Sequence, residues 1–123
     1  MAYRPKSVVL VVEDEPILRQ MAVSVVEDAG LEAIEAANAD EAIRILEGRN
    51  DIRIVFTDVD MPGSMDGIKL AACVRDRWPP VEIILTSGHF SAENVALPER
   101  GVFFAKPYDP QAVGEAMRRM AKY

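Results

Sequence analysis

Val55-Phe56-Thr57-Asp58-Val59-Asp60-Met61-Pro62 is a β-branched and aromatic run that ends on two carboxylates and a proline. An apolar stretch of strand length that stops in charge is how a strand covered on both faces leaves the core. With Ile52 before it, the run predicts a strand over 52–57. The same construction recurs on either side. Ser7-Val8-Val9-Leu10-Val11-Val12 runs into Glu13-Asp14-Glu15, Val81 to Thr86 into Ser87, and Val102 to Ala105 into Lys106-Pro107. Leu31 to Ala36 reads as a shorter strand.

Segments of helical period separate these runs. Pro16 suits a first turn, and Ile17, Met21, Val25 and Ala29 with Leu18, Ala22 and Val26 form an apolar stripe ending at Gly30. Asn38 or Asp40 can cap a helix carrying Ala39, Ala42, Ile43 and Leu46 and closed by Gly48. Asp66 can cap another, with Gly67, Leu70, Ala71, Val74 and Trp78 on one face, stopped by Pro79-Pro80. One or two helical turns are expected around Ala92 to Leu97. A last helix from about Pro110 turns Val113, Met117, Met120 and Ala121 inward. Five βα units without a break in composition predict one doubly wound α/β domain over residues 1–123, a five-stranded parallel sheet with flanking helices.

Composition narrows the function. Half of the 123 residues are apolar and 28% are charged, the make-up of an ordinary globular domain. No apolar run reaches the roughly 20 residues that span a bilayer, and no signal peptide pattern opens the chain, so a cytoplasmic protein without membrane contact is expected. One cysteine, Cys73, and one histidine, His89, exclude a disulfide framework and a His- or Cys-rich metal site. The net charge of −6 and the lack of a basic recognition helix argue against direct nucleic-acid binding.

In a doubly wound sheet the ligand site lies beyond the carboxyl ends of the strands. Those ends hold Glu13, Asp14 and Glu15, then Asp58 and Asp60, then Thr86 and Ser87, then Lys106. Converging carboxylates repel one another unless a cation sits among them, and an oxygen-liganded Mg²⁺ answers that need. The crowding also predicts at least one raised carboxyl pKa in the metal-free protein. Lys106 adds a fixed positive charge, and Thr86 adds a hydroxyl. An anionic group arriving at Asp58 could be held by all three, a constellation suited to phosphoryl transfer. A nucleotide fold of the glycine-loop type is excluded, because Glu13-Asp14-Glu15-Pro16 would repel pyrophosphate.

The ordered motifs Val11-Val12-Glu13-Asp14-Glu15-Pro16, Val55 to Pro62, Asp66-Gly67, Ile84-Leu85-Thr86-Ser87-Gly88 and Lys106-Pro107-Tyr108 resemble the receiver domain of bacterial two-component response regulators. The resemblance covers essentially the whole chain. It implies a flavodoxin-like strand order of 2-1-3-4-5 and a single receiver domain, of the chemotaxis-regulator type, with no attached output domain. It implies that Asp58 accepts a phosphoryl group from a sensor histidine kinase or a histidine phosphotransfer protein. Asp14 would be a direct ligand of Mg²⁺, for which Mn²⁺ could substitute, and Glu13 would act largely through water. Asp58 and the backbone carbonyl of Asp60 would complete the set. Lys106 would pair with the phosphoryl oxygens, Thr86 would close onto them, and Phe103 would be the aromatic switch. The chain would then relay phosphate or engage a downstream protein, as a monomer or a phosphorylation-dependent dimer. It would catalyse only its own phosphorylation and dephosphorylation.

The sequence departs from the common pattern in having Glu13 where many relatives carry Asp, in a loop from Met61 to Gly67 that is one residue longer, and in Phe103 lacking a tyrosine hydroxyl. Two other readings compete. Asp58-Val59-Asp60 is also the Asp-x-Asp spacing of haloacid-dehalogenase-type phosphatases, but there the motif opens the fold and an acidic pair follows it, whereas here the pair comes first. A degenerate binding module that is never phosphorylated is the other; the presence of every key residue type weighs against it.

Overall fold

The computed structural model describes residues 6–61, 65–88 and 101–121. Five strands form one parallel sheet: β1 (Val8–Val12), β2 (Glu32–Ala36), β3 (Ile52–Asp58), β4 (Glu82–Ser87) and β5 (Gly101–Ala105). Their spatial order is β2-β1-β3-β4-β5. The chain therefore starts in β1, builds outward to β2, and crosses back past β1 to β3. That reversal makes the β1/β3 boundary the switch point at which an open parallel sheet offers a crevice. The expected α/β class and strand order are both observed.

Four helices occur among the described residues: α1 (Pro16–Asp28), α2 (Ala39–Gly48), α3 (Gly67–Arg77) and α4 (Pro110–Ala121). Each begins for a local reason. Pro16 occupies the first turn of α1, where its missing N–H costs nothing. The Asn38 side chain caps α2 by accepting from Glu41 N at 2.8 Å, which settles the choice between Asn38 and Asp40. Asp66 caps α3 by accepting from Lys69 N at 2.9 Å. Gly30, with φ of 86°, takes the left-handed turn that releases α1 toward β2.

Alternation along the strands divides the core in two. Val8, Leu10, Val12, Val55, Ile83 and Leu85 face α2 and α3, where they meet Leu46, Leu70 and Val74. Val9, Val11, Ile54, Phe56 and Ile84 face the other way, against Val26, Val113 and Met117 of α1 and α4. Burying one such aliphatic side chain is worth about 2 kcal/mol, so each face alone is enough to fix the strand register.

The α1 stripe is shorter than its period predicts. Ala22, Val25, Val26 and Ala29 are buried, but Ile17 is 77% and Met21 57% exposed. Among the described residues no layer stands over the first turns of α1 to bury that side of the helix. The turns expected around Ala92 to Leu97, the loop residues Pro62 to Ser64, and His89 lie outside the described residues.

Gly67 ties α3 to the sheet. A Cβ there would run into the backbone of Asp58 and Val59, with the Asp58 carbonyl carbon and Val59 Cα both at 2.8 Å and the Asp58 carbonyl oxygen nearer still. Only a residue without a side chain permits that approach. Gly67→Ala is expected to lower the denaturant midpoint by the equivalent of about 3 kcal/mol, the upper range for overpacking, whereas Gly48→Ala, which meets no atom, should change it little.

Candidate functional site

The carboxyl ends of β1, β3, β4 and β5 meet over the switch point. Glu13 and Asp14 directly follow β1, Asp58 is the last residue of β3, Thr86 precedes the last residue of β4, and Lys106 follows β5. In-register pairing of Val12 with Thr57, of Asp58 with Thr86 and of Ser87 with Ala105 sets these ends side by side.

Carboxylate oxygens of Glu13, Asp14 and Asp58 all lie within 4.8 Å of one another. Glu13 and Asp58 are each only 6% exposed, so their charges are poorly screened. Lys106 Nζ lies 3.1 Å from Asp58 Oδ2 and 3.3 Å from Glu13 Oε1. One ammonium thus pairs with two of the three carboxylates. Burial, and then repulsion from Asp58, pushes the Glu13 carboxyl up to about 7. Burial also raises the Asp58 carboxyl, against the opposing pull of Lys106. For Lys106 desolvation acts downward, but hydrogen bonding and attraction from Asp58 and Glu13 outweigh it and the pKa is raised. The lysine stays charged while the acids around it resist ionisation. Three hard oxygen donors with one compensating cation form a donor set that fits a further divalent ion.

Both oxygens of Asp58 are engaged. Oδ2 faces Lys106, and Oδ1 accepts from the backbone N–H of Asp60 at 3.2 Å. Asp60, whose backbone carbonyl is the fourth expected ligand, is half-buried, and its own carboxylate accepts from Ser87 Oγ at 2.7 Å. The β1 side is braced by Arg19, which donates to the Glu13 carbonyl at 2.9 Å and to Glu35 Oε1 at 3.1 Å. The Lys106-Pro107 peptide bond is cis.

A cleft of roughly 370 Å³ opens beside these groups, lined by Glu13, Asp58, Thr86 and Lys106 and by the apolar Leu18 and Met21 of α1. Tyr108 also lines it, its ring edge-on to Phe56 with centroids 5.9 Å apart. Phe103 lies elsewhere: it is half-buried on β5 and packs on the α2/α3 face, the side opposite Phe56. Thus Glu13, Asp14, Asp58, Thr86 and Lys106 converge as expected from the sequence, and Phe103 lies outside the cleft. The Ser87–Asp60 and Arg19–Glu13 contacts were not legible in the sequence. Their partners are 27 and 6 residues apart, on different elements, and no spacing rule links them.

The whole arrangement has counterparts. Residues 9–118 match the model of the response regulator receiver domain. This chain belongs to the receiver domain family of two-component response regulators. The receiver is 32% identical over 105 residues to the nitrogen assimilation regulatory protein NtrX of Azorhizobium caulinodans, covering 82% of this chain and 23% of that protein. It is also 32% identical over 116 residues to the sensor kinase CckA of Brucella abortus, covering 91% of this chain and 12% of the relative. The receiver thus spans about a quarter or less of these curated relatives. Among solved structures, it resembles a response regulator receiver protein from Sinorhizobium medicae with a TM-score of 0.84 at 26% identity, over 95% of each chain. The receiver domain of the hybrid histidine kinase CckA gives a TM-score of 0.76 at 29% identity, over 93% of this chain and 98% of that one. Among the described residues no helix of the receiver is long and apolar enough to cross a membrane.

The raised Glu13 carboxyl fixes the sign of a pH effect. An acid whose folded pKa exceeds its unfolded value contributes stability below the unfolded pKa and loses it as pH rises through the folded one. For Glu13 that window runs from its ordinary value of 4.5 to about 7. The metal-free receiver should therefore lose on the order of 1 to 2 kcal/mol between pH 4.5 and pH 8 on this account, allowing for solvent screening. Glu13→Gln, which mimics the protonated form, should flatten that loss. Urea unfolding of both proteins at pH 5 and pH 8 in chelator reads the difference, and parallel pH profiles would refute the assignment.

Proposed function

We propose that Asp58 is the phosphoryl acceptor of this receiver. The observation that carries the reading is the position of Asp58, buried, ion-paired to Lys106 at 3.1 Å and clustered with Glu13 and Asp14, and lining an open cleft. The donor is a phosphohistidine on a sensor histidine kinase or a histidine phosphotransfer protein. An Asp58 carboxylate oxygen attacks phosphorus, the P–N bond breaks, and the imidazole leaves with the electron pair of that bond and is protonated. Hydrolysis of the resulting acyl phosphate returns the carboxylate and inorganic phosphate. The side chain is consumed and regenerated, so the protein acts on itself and is not a turnover enzyme for external esters.

Lys106 pairs with the phosphoryl oxygens once they arrive at Asp58, which costs little reorganisation because its ammonium is already held there. Thr86 donates its hydroxyl to the same group. Glu13, Asp14, Asp58 and the Asp60 carbonyl would hold Mg²⁺, or Mn²⁺ in its place. Such an ion would supply positive charge to offset the carboxylates and the phosphoryl oxygens. Replacing a crowded cluster of acids by a phosphorylated, cation-bound one changes the local field at the ends of β4 and β5. Thr86 and Phe103 report that change to a downstream protein as a shift between two states. The acidic net charge and the absence of a membrane-crossing helix among the described residues support a cytoplasmic phosphoprotein that contacts proteins, not nucleic acid.

Incubation with acetyl phosphate and Mg²⁺ should add one phosphoryl group by intact-mass spectrometry, and Asp58→Asn should add none. Lys106→Ala should be labelled at least about ten-fold more slowly, the effect of removing one preorganised charge. No mass gain from acetyl phosphate or from a phosphohistidine donor would mark the site as degenerate. Mg²⁺ at 100 times its Kd should raise the stability of the wild type by about 2.7 kcal/mol, and Asp14→Asn should lose most of that gain at the same concentration. An unfolding midpoint that does not respond to Mg²⁺ would exclude the ion site.

A further inference from the structure

The end of β4 carries a polar side chain that the proposed transfer does not use. Ser87 is completely buried, and its hydroxyl donates to Asp60 Oδ2 at 2.7 Å. A hydroxyl bonded to a carboxylate at this length belongs to the stronger, charge-assisted class. The Ser87 carbonyl accepts from the backbone N–H of Lys106 at 2.9 Å. Asp60 and Lys106 are the two residues that hold the two oxygens of Asp58, at 3.2 Å and 3.1 Å. One buried serine therefore touches both holders of the acceptor.

Its hydroxyl also restrains a charge. Asp60 places a carboxylate two residues beyond the acceptor, and that charge opposes the charge of Asp58. Without that bond the Asp60 side chain would be less restrained and would repel an incoming phosphoryl group over part of its wider range. The backbone N–H on Asp58 Oδ1 would be less well fixed at the same time.

We propose that Ser87 is a positioning residue for phosphoryl transfer: by clasping the Asp60 carboxylate it keeps the Asp60 N–H on Asp58 and keeps the Asp60 charge on the β4 side of the acceptor. The inference rests on the reading of Asp58 as acceptor and adds a residue to it. It differs from a purely structural role in one respect. A clasp on a charge affects donors according to their own charge, whereas a loosened fold slows all donors alike.

The test uses the full chain as wild type, Ser87→Ala, Asp60→Ala and the double variant. Labelling rates are measured by intact mass with dianionic acetyl phosphate and with the less charged phosphoramidate, and a denaturant curve is recorded for each protein. Ser87→Ala should slow labelling by acetyl phosphate about five-fold and by phosphoramidate about two-fold, and in the Asp60→Ala background it should have almost no effect. Asp60→Asn removes the charge and keeps an acceptor for Ser87; in that background Ser87→Ala should leave the ratio of the two donors' rates unchanged. Ser87→Cys, close in size with a weaker donor, supplies a second reading should Ser87→Ala fail to fold. Equal slowing with both donors, an undiminished Ser87→Ala effect without Asp60, or a changed donor ratio in the Asp60→Asn background would each overturn the proposal. A wild type that takes no phosphoryl group from either donor overturns the acceptor reading and this one with it. Labelled wild type with uncoupled variants overturns this one alone.

Discussion

Repulsion among carboxylates is the constraint around which the carboxyl edge of this sheet is arranged. Glu13, Asp14 and Asp58 bring oxygens within 4.8 Å of one another, two of them from buried side chains. Left in water, such groups would separate. Here they cannot, because each is fixed to a strand end whose register is set by the apolar residues beneath it. The sheet spends folding free energy to maintain an unfavourable cluster of charge, and Lys106 offsets only part of the cost. A site built this way favours positive charge and is restrained from relaxing by moving its own side chains apart. Both properties suit the holding of a cation and a phosphoryl group in turn.

The parallel topology supplies the rest. Because β1 and β3 are neighbours while their following helices pack on opposite faces, their ends diverge into a crevice lined by Glu13, Asp58, Thr86 and Lys106. Arg19 closes one side by bonding the Glu13 carbonyl and Glu35, so the acidic loop after β1 is braced from α1 and from β2 together. Ser87 does the same from the β4 side. The charged groups are thus held by neutral or cationic contacts made mostly outside the cluster.

Much of this was legible in the sequence because strand cores and strand ends have opposite chemistry. Val8 to Val12 and Ile54 to Phe56 are continuous apolar runs, and the first carboxylate after each marks where the sheet stops. That locates Glu13, Asp14 and Asp58, and the same logic finds Thr86 and Lys106. Periodicity was a poorer guide in α1, where Ile17 and Met21 fit the stripe but are exposed. Period tells which residues share a face, and burial depends on whether another layer stands opposite. Phe103, three residues before Lys106, faces α2 and α3 with Phe104 on the other side, as strand alternation dictates. The Ser87–Asp60 bond was out of reach altogether, since it depends on the height at which the β3 loop passes the end of β4.

The contact at Gly67 has a mechanical consequence. With no side chain between them, the first turn of α3 rests on the carbonyl of Asp58, and Gly67 N donates to Val59 O at 3.1 Å. Asp58 and the helix are thus in direct backbone contact, so a tilt of α3 presses on the strand end that carries the carboxylate. The β4–β5 edge is fastened to the same place, by Val59 N on Thr86 O at 2.8 Å, Ser87 on Asp60 at 2.7 Å and Lys106 on Asp58 at 3.1 Å. Asp58 is thus a hub: the first turn of α3 and the ends of β4 and β5 all bear on one residue, and a displacement of any of them is felt there.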